Sequence, residues 1–463
     1  MPTERTDSRW VLGNEALARR LRLAELAILA GFAALLVRNA VVYPYIAGVD
    51  AIEHRTRAWD LVVNGQLGTT GSYYTPPGWY AIAGELLHLA DELDLADVEQ
   101  PAQLLSAALV VASAVLLLAL VGRLFPGRPW LRLWALAGFC ACPAVVKPAA
   151  MVHPQPLVLF LTLLALVLLV RILARPQWGL AAAVGLGLVL GSAQLVRSVG
   201  LWIYVAAAGA FAVAFAVRAV ARRRVALVAG IALALGLLVP FPWYAYLQVE
   251  YGDPVFGGRP EIREGAGPAQ VTLAAAGPAP TPPPVLRAPL SYFTATGLPE
   301  SVSEPYRGAL APAFVPVVLA DTWGDYLGQW RWGIPDATTD PPTVDRLRVQ
   351  AVVGILLTFV SLTGLVALAV LAVRDPRRRL ATVPLVLLPL LAVGSLALYA
   401  WRYPAADGDT VKGLFLLPAA PSFATAFGFA VDVGRASLRR PARLVATVAL
   451  GAALLMCVEF GLA

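Results

Sequence analysis

Apolar stretches of about 20 residues recur along almost the whole chain, separated by short polar turns. A helix of that length crosses about 30 Å of hydrocarbon. The pattern predicts an all-α polytopic membrane protein with about 11 transmembrane helices, at 23–44, 102–122, 130–147, 155–172, 178–195, 200–217, 225–246, 349–373, 380–400, 411–432 and 442–461. One further apolar run, at 77–89, is too short to span and suits a helix lying at the membrane surface or re-entering it. Residues 51–64 alternate as an amphipathic helix, with Ala51, Ala58, Leu61 and Val62 on its apolar side.

Charge fixes the expected orientation. Arginines cluster on alternate connections: Arg123, Arg128 and Arg132, then Arg171 and Arg175, then Arg218, Arg222, Arg223 and Arg224. Arg374, Arg377, Arg378 and Arg379 follow, and last Arg435, Arg439, Arg440 and Arg443. The positive-inside rule then puts the N-terminus in the cytoplasm and the C-terminus outside. Arg19, Arg20 and Arg22 precede the first apolar run without a small-residue cleavage pattern after it, so a retained helix is expected rather than a signal peptide. The net charge of +7 has its explanation in these clusters and does not call for nucleic acid. With 59% hydrophobic and 14% charged residues, a soluble multidomain reading fails. Cys140, Cys142 and Cys457 all lie in apolar segments and offer neither a metal-ligand spacing nor a disulfide framework.

This topology gathers the polar segments on one face. The expected organisation is an N-terminal membrane module at 1–246 that carries an outer loop at 45–100, a long outer loop at 247–348, and C-terminal membrane helices at 349–463. Within the long loop, 257–289 is rich in Gly, Pro and Ala and is expected to be partly flexible. The aromatic residues of 292–333 suggest an ordered cap. No Gly-rich phosphate loop and no cytosolic nucleotide domain is visible, so nothing in the chain points to a nucleotide ligand.

Candidate chemistry begins at Asp50, just beyond Tyr43-Pro44-Tyr45, where the first span should end. Its carboxylate either caps the following helix or serves as a general base for an acceptor hydroxyl. Glu53 and His54 follow within one turn, and D-x-x-E-H leaves a divalent cation open while requiring no redox cofactor. Next comes Tyr73-Tyr74-Thr75-Pro76-Pro77-Gly78-Trp79-Tyr80. Its double proline holds an extended backbone, and its rings offer faces for sugars or isoprenoid chains, or form an aromatic belt.

Asp followed by His one turn on, then G-x-L, then T-P-P-G-W-Y, resembles the GT-C superfamily of integral membrane glycosyltransferases. Relatives of that type include protein O-mannosyltransferases, the lipid A aminoarabinose transferase and the dolichyl-phosphate-glucose glucosyltransferases. The resemblance implies transfer of a sugar from a polyprenyl-phosphate carrier on the non-cytoplasmic face, with inversion, and an acidic base in the first outer loop before two membrane-parallel helices. It carries the base to Asp50 and the parallel helices to about 51–64 and 77–90. The family's adjacent Asp-Glu pair is absent, since Ala51 follows Asp50 and the next acid is Glu53, which leaves the base open between Asp50 and Glu53.

Other segments extend the resemblance. Met151-Val152-His153-Pro154-Gln155-Pro156 sits where similar proteins carry H-P-E, with Gln155 in place of the acid. Arg197 stands alone at the outer end of a span, either snorkelling or meeting an anionic phosphate. Lys412, after Asp407-Gly408-Asp409, and nearby Arg402 are candidates for the carrier phosphate. Trp323 and Tyr326, in Ala320-Asp321-Thr322-Trp323-Gly324-Asp325-Tyr326, are candidates to line an acceptor cleft with Tyr74, Pro76, Pro77, Trp79, Tyr80, His153 and Gln155. The implied partners are a polyprenyl-phosphate-linked sugar, a glycan, lipid or protein acceptor, and the bilayer. Rich Ala, Arg and Val usage suggests a GC-rich bacterial genome and the inner membrane of an actinobacterium, and the resemblance implies a role in cell-wall or glycan biosynthesis. The rival classes are a lipid or glycan transporter, which should show polar broken helices at mid-membrane, and a non-catalytic scaffold of the same fold.

Overall fold

A computed structural model describes residues 8–48, 50–67, 75–174, 180–217, 222–251, 288–328, 330, 341–402 and 411–462. Among these there is no strand. The helices in chain order are α1 (Ser8–Val42), α2 (Ala51–Val63), α3 (Gly78–Glu92), α4 (Gln100–Leu124), α5 (Pro129–Ala141), α6 (Pro143–Val146), α7 (Gln155–Ala174), α8 (Leu180–Val196) and α9 (Leu201–Val217). They continue as α10 (Arg222–Leu238), α11 (Phe241–Tyr251), α12 (Glu300–Ser303), α13 (Phe314–Trp323), α14 (Pro341–Arg374), α15 (Pro376–Arg402), α16 (Ala420–Ser437) and α17 (Arg440–Phe460).

Among the described residues, eight helical segments are individually long and apolar enough to cross a membrane, and two bent pairs bring the number to ten. The eleventh expected span is α8, whose 17 residues are apolar but short. Proline explains both bends. The run expected as one helix at 130–147 breaks at Cys142, where Pro143 has no N–H to give and α5 meets the next segment at 68°. At Pro240 and Pro242 the run 225–246 bends by 45° between α10 and α11. The late run expected at 411–432 starts as a 3-10 turn at Gly413–Ala419 and becomes α-helical at α16. The region 257–289 falls almost wholly outside the described residues.

One end of the bundle carries the Arg-rich turns. There Arg132 of α5 grips Glu25 of α1 through two hydrogen bonds of 2.7 and 2.5 Å, and Arg128 meets Asp432 of α16 at 2.6 Å. Such half-buried pairs contribute register more than net stability.

The other end carries α2, α3 and the 288–330 segment. At 1.5 Å per residue α2 and α3 reach only about 20 Å, too short to span. Helix α2 buries Ala51, His54 and Ala58, a spacing of three then four that makes one face. That face meets α3, which buries Tyr80, Ala83, Gly84 and Leu87. The approach is close because Gly84 has no side chain: a Cβ there would stand 2.1 Å from the carbonyl oxygen of Ala58. Arg55 ties α2 to Glu99, just before α4, at 2.8 Å. Ile52, Ile82 and Leu89 face outward as exposed apolar side chains. The 288–330 segment packs its own small core of Leu310, Phe314, Val317 and Tyr326 against Leu396 and Ala400 of α15 and against Val411.

Candidate active site

Asp50 occupies the position before α2 with φ +56°, in the left-handed region that only Gly, Asn and Asp enter at modest cost. A residue at this position normally turns its carboxylate onto the first free amides of the helix. Asp50 makes no such side-chain hydrogen bond. Its two oxygens instead accept from Lys412 Nζ at 3.0 and 3.3 Å. The capping alternative is therefore ruled out, and a carboxylate with 42% of its side chain exposed faces an ammonium with only 8% exposed.

Electrostatics keeps Asp50 ionised. Burial pushes its carboxyl up, but the Lys412 ammonium and the hydrogen bond it donates outweigh this, with further help from Arg197. The net result lies below the ordinary carboxylate value. Arg197 follows the last residue of α8 in extended backbone, and its guanidinium lies over the ring of Phe415 at 5.4 Å. Lys412 approaches the same ring at 5.9 Å. Two cations thus lie against one aromatic ring beside a single carboxylate.

Behind Asp50, His54 shares a 2.8 Å hydrogen bond with the Tyr80 hydroxyl across the α2–α3 contact. The His54 ring also stands edge-on to His153, with centroids 4.4 Å apart. His153 Nδ1 accepts the backbone N–H of Gln155 at 3.2 Å. Burial, reinforced by neighbouring cations, holds both imidazoles well below the ordinary histidine value, so both are neutral at pH 7. Burial likewise raises the Tyr80 phenol and keeps it protonated. His54 Nε2 and the side-chain amide of Gln155 are buried without a hydrogen-bond partner among the described residues.

The remaining expected site residues fall elsewhere. Glu53 is exposed and lies 3.5 Å from Arg57, one turn along α2. Pro76 is buried and Pro77 half-buried at the start of α3, while Trp79 is fully buried in the main core. Trp323 and Tyr326 also sit inside the packing, Trp323 donating to Thr358 of α14 at 2.7 Å. These three rings are buried within the packing and help fasten their segments to the bundle. Tyr74, Asp407 and Asp409 lie outside the described residues, as does the side chain of Arg402. Among the described residues no three His, Cys, Asp or Glu side chains converge as a metal site.

Lys147 escaped notice in the sequence, and Asp321 stood out there only as part of a motif. Lys147, in the 3-10 turn Lys147–Ala150 after α6, is buried and donates to the carbonyls of Asp321 and Gly324, both at 3.0 Å. It also lies 3.5 Å from Asp321 Oδ1, while Asp321 Oδ2 accepts the Gly413 N–H at 2.6 Å. A compositional signal pointed to this pair. Of 36 basic residues only Lys147 and Lys412 are lysines, and both are buried beside an aspartate at the same end of the fold.

No family model and no curated protein matches the chain. Solved structures do. The oligosaccharyltransferase AglB of Archaeoglobus fulgidus, in complex with an inhibitory peptide and a dolichol-phosphate, superposes over 95% of this chain with TM-score 0.56 and 12% identity. The same archaeal enzyme tethered to an acceptor peptide matches over 94% with TM-score 0.55 and 13% identity. This chain spans only 56% and 55% of those structures. A structure of ArnT from Cupriavidus metallidurans bound to undecaprenyl phosphate also matches, covering 93% of this chain and 79% of that one at 16% identity, with TM-score 0.37. This chain shares the fold of the matched part of the archaeal oligosaccharyltransferase structures.

Proposed function

We propose that the chain is a membrane glycosyltransferase that moves a sugar from a polyprenyl-phosphate carrier to an acceptor hydroxyl, with Asp50 as general base. The observation that carries this reading is the Asp50–Lys412 pair, with Arg197 poised over the same Phe415 ring. A carboxylate that declines its capping role and lies open on one side is free to take a proton. Two cations on one ring form a seat of the right sign for a phosphate. The dolichol-phosphate bound by the archaeal enzyme of like fold supports the same class of carrier.

The step balances without a redox partner. The acceptor oxygen attacks the anomeric carbon from the face opposite the phosphate, and its proton passes to Asp50. The bond from the anomeric carbon to the phosphate oxygen breaks, its electron pair stays on the phosphate, and the configuration inverts. Lys412 and Arg197 stabilise the departing dianion. Entry of the phosphate gives Lys412 a second anionic partner and loosens its hold on Asp50. Helices α2 and α3, with Ile52, Ile82 and Leu89 outward, lie along the outer membrane surface in this reading, and the Arg-rich end faces the cytoplasm. The archaeal enzyme's acceptor peptide leaves the acceptor here open among glycan, lipid and protein.

The test is release of labelled sugar from a panel of polyprenyl-phosphate sugars by the purified chain. Turnover of one donor by wild type, reduced about a thousandfold in Asp50→Asn, is expected for loss of a general base. Unimpaired turnover in that variant moves the base elsewhere. Absence of turnover with every donor, with membrane extract supplied as acceptor, defeats the reading.

A further inference from the structure

The long segment at 288–330 meets the candidate site from behind, through one buried carboxylate. Asp321 is the eighth residue of α13 and is almost wholly buried. One of its oxygens lies against Lys147, and the other accepts the Gly413 amide. Gly413 is seated directly on this helix end, since a Cβ there would meet the Thr322 amide nitrogen at 2.7 Å and its hydroxyl at 2.5 Å. Lys412 therefore enters from a backbone pinned on its C-terminal side, and its carbonyl accepts from Phe415 at 2.9 Å.

Lysine rather than arginine at position 147 has a geometric reason. A compact ammonium presents three donors in a tetrahedron, and Lys147 has three acceptors around it: the carbonyls of Asp321 and Gly324 and Asp321 Oδ1. A planar guanidinium in that buried pocket would not match them.

We infer that Asp321 is a positioning residue: its carboxylate, neutralised by Lys147, fixes the Gly413 amide and thereby aims the Lys412 ammonium at Asp50. This deepens the proposed function, on which its importance rests, and it gives the outer segment a task other than lining a cleft. Two separated pieces of chain, 147–150 and 321–324, together set where the candidate phosphate-binding charge stands.

The presence of just two lysines makes the inference measurable without any donor. Lysine acetylation of the purified full chain by a water-soluble acetyl ester, followed by mass spectrometry, reads Lys412 directly. Two double variants remove the buried charges together. Asp321→Asn with Lys147→Met keeps an acceptor for Gly413, whereas Asp321→Ala with Lys147→Met does not. The expected result is Lys412 labelling near the wild-type rate in the first and about tenfold faster in the second, the scale of one lost hydrogen bond to a strong acceptor. Equal rates in the two double variants overturn the inference. Wild type alone provides a second reading, because the Gly413 amide must exchange with deuterium far more slowly than an unprotected amide. Exchange at the unprotected rate also overturns it. Neither measurement reads turnover, so a failure of the glycosyltransferase reading leaves both results interpretable.

Discussion

Replacement of Gly84 by alanine is a one-methyl test of whether the α2–α3 contact holds the site. The added Cβ would lie 2.1 Å from the Ala58 carbonyl oxygen and 2.6 Å from Val62 Cγ2, where ordinary contact begins at 3.4 Å. The obstacle includes backbone, so the two helices must part by roughly 1.3 Å, the difference between 3.4 and 2.1 Å. The hydrogen bond between His54 and Tyr80, at 2.8 Å, crosses the same contact and would be stretched past its useful range. Asp50 leads directly into α2, so its position against Lys412 shifts with the helix. Misplacement of a catalytic group by about 1 Å costs roughly a hundredfold in rate. The assay is sugar release from the donor identified for wild type, at saturating and limiting donor concentration, with helix content checked by circular dichroism. Gly230→Ala is the matched control, since nothing lies within 4 Å of a Cβ there and a helical alanine is intrinsically favoured. Gly84→Ala with turnover within threefold of wild type, alongside an unaffected control, would refute the argument that this contact positions the site.

Three further outcomes follow from the electrostatics. With Lys412→Met, only the weaker pull of Arg197 still opposes burial and the Asp50 carboxyl rises, so the acid limb of the kcat/KM profile moves to higher pH; an unmoved limb would show that another group governs it. The same pairing has a stability consequence, because a carboxylate depressed in the folded state stabilises above its unfolded value and loses that contribution as pH falls through the folded one. His54 and His153 are held well below 6.5, so the unfolded chain takes up protons that the folded chain refuses, and stability falls as pH drops below 6.5. His54→Phe should reduce the slope of that loss by about one proton in denaturation midpoints measured between pH 7 and 5. Arg197→Met should weaken binding of the donor and of free polyprenyl phosphate alike, by about tenfold or more for one lost charge-assisted contact. Unchanged affinity by titration would leave Arg197 as a snorkelling residue.

Much of the architecture could be read directly. The apolar runs predicted α1, α4, α7 and the late helices because length and hydropathy alone decide whether a segment can cross hydrocarbon. The shortness of 77–89 likewise marked α3 as a helix that does not span. The bends at Pro143 and Pro240 were visible as prolines, yet their consequence was not, because membrane helices tolerate prolines such as Pro384 and Pro389 of α15 when neighbours satisfy the freed carbonyls.

The candidate site divides in the same way. Asp50, His54, Arg197 and Lys412 each stood out singly, as polar residues at the mouths of apolar helices. Their roles in the fold did not. Asp50 and Lys412 are 362 positions apart, and Lys147 and Asp321 are 174 apart. The burial of Trp79, Trp323 and Tyr326 was not legible, because an aromatic ring serves a core as readily as a ligand. The sequence by itself determined which segments lie in the membrane and at which end the polar chemistry gathers, because the cost of burying charge in hydrocarbon acts on each segment alone. Only the tertiary structure decided which charge meets which, because an ion pair depends on a few ångströms set by the whole bundle.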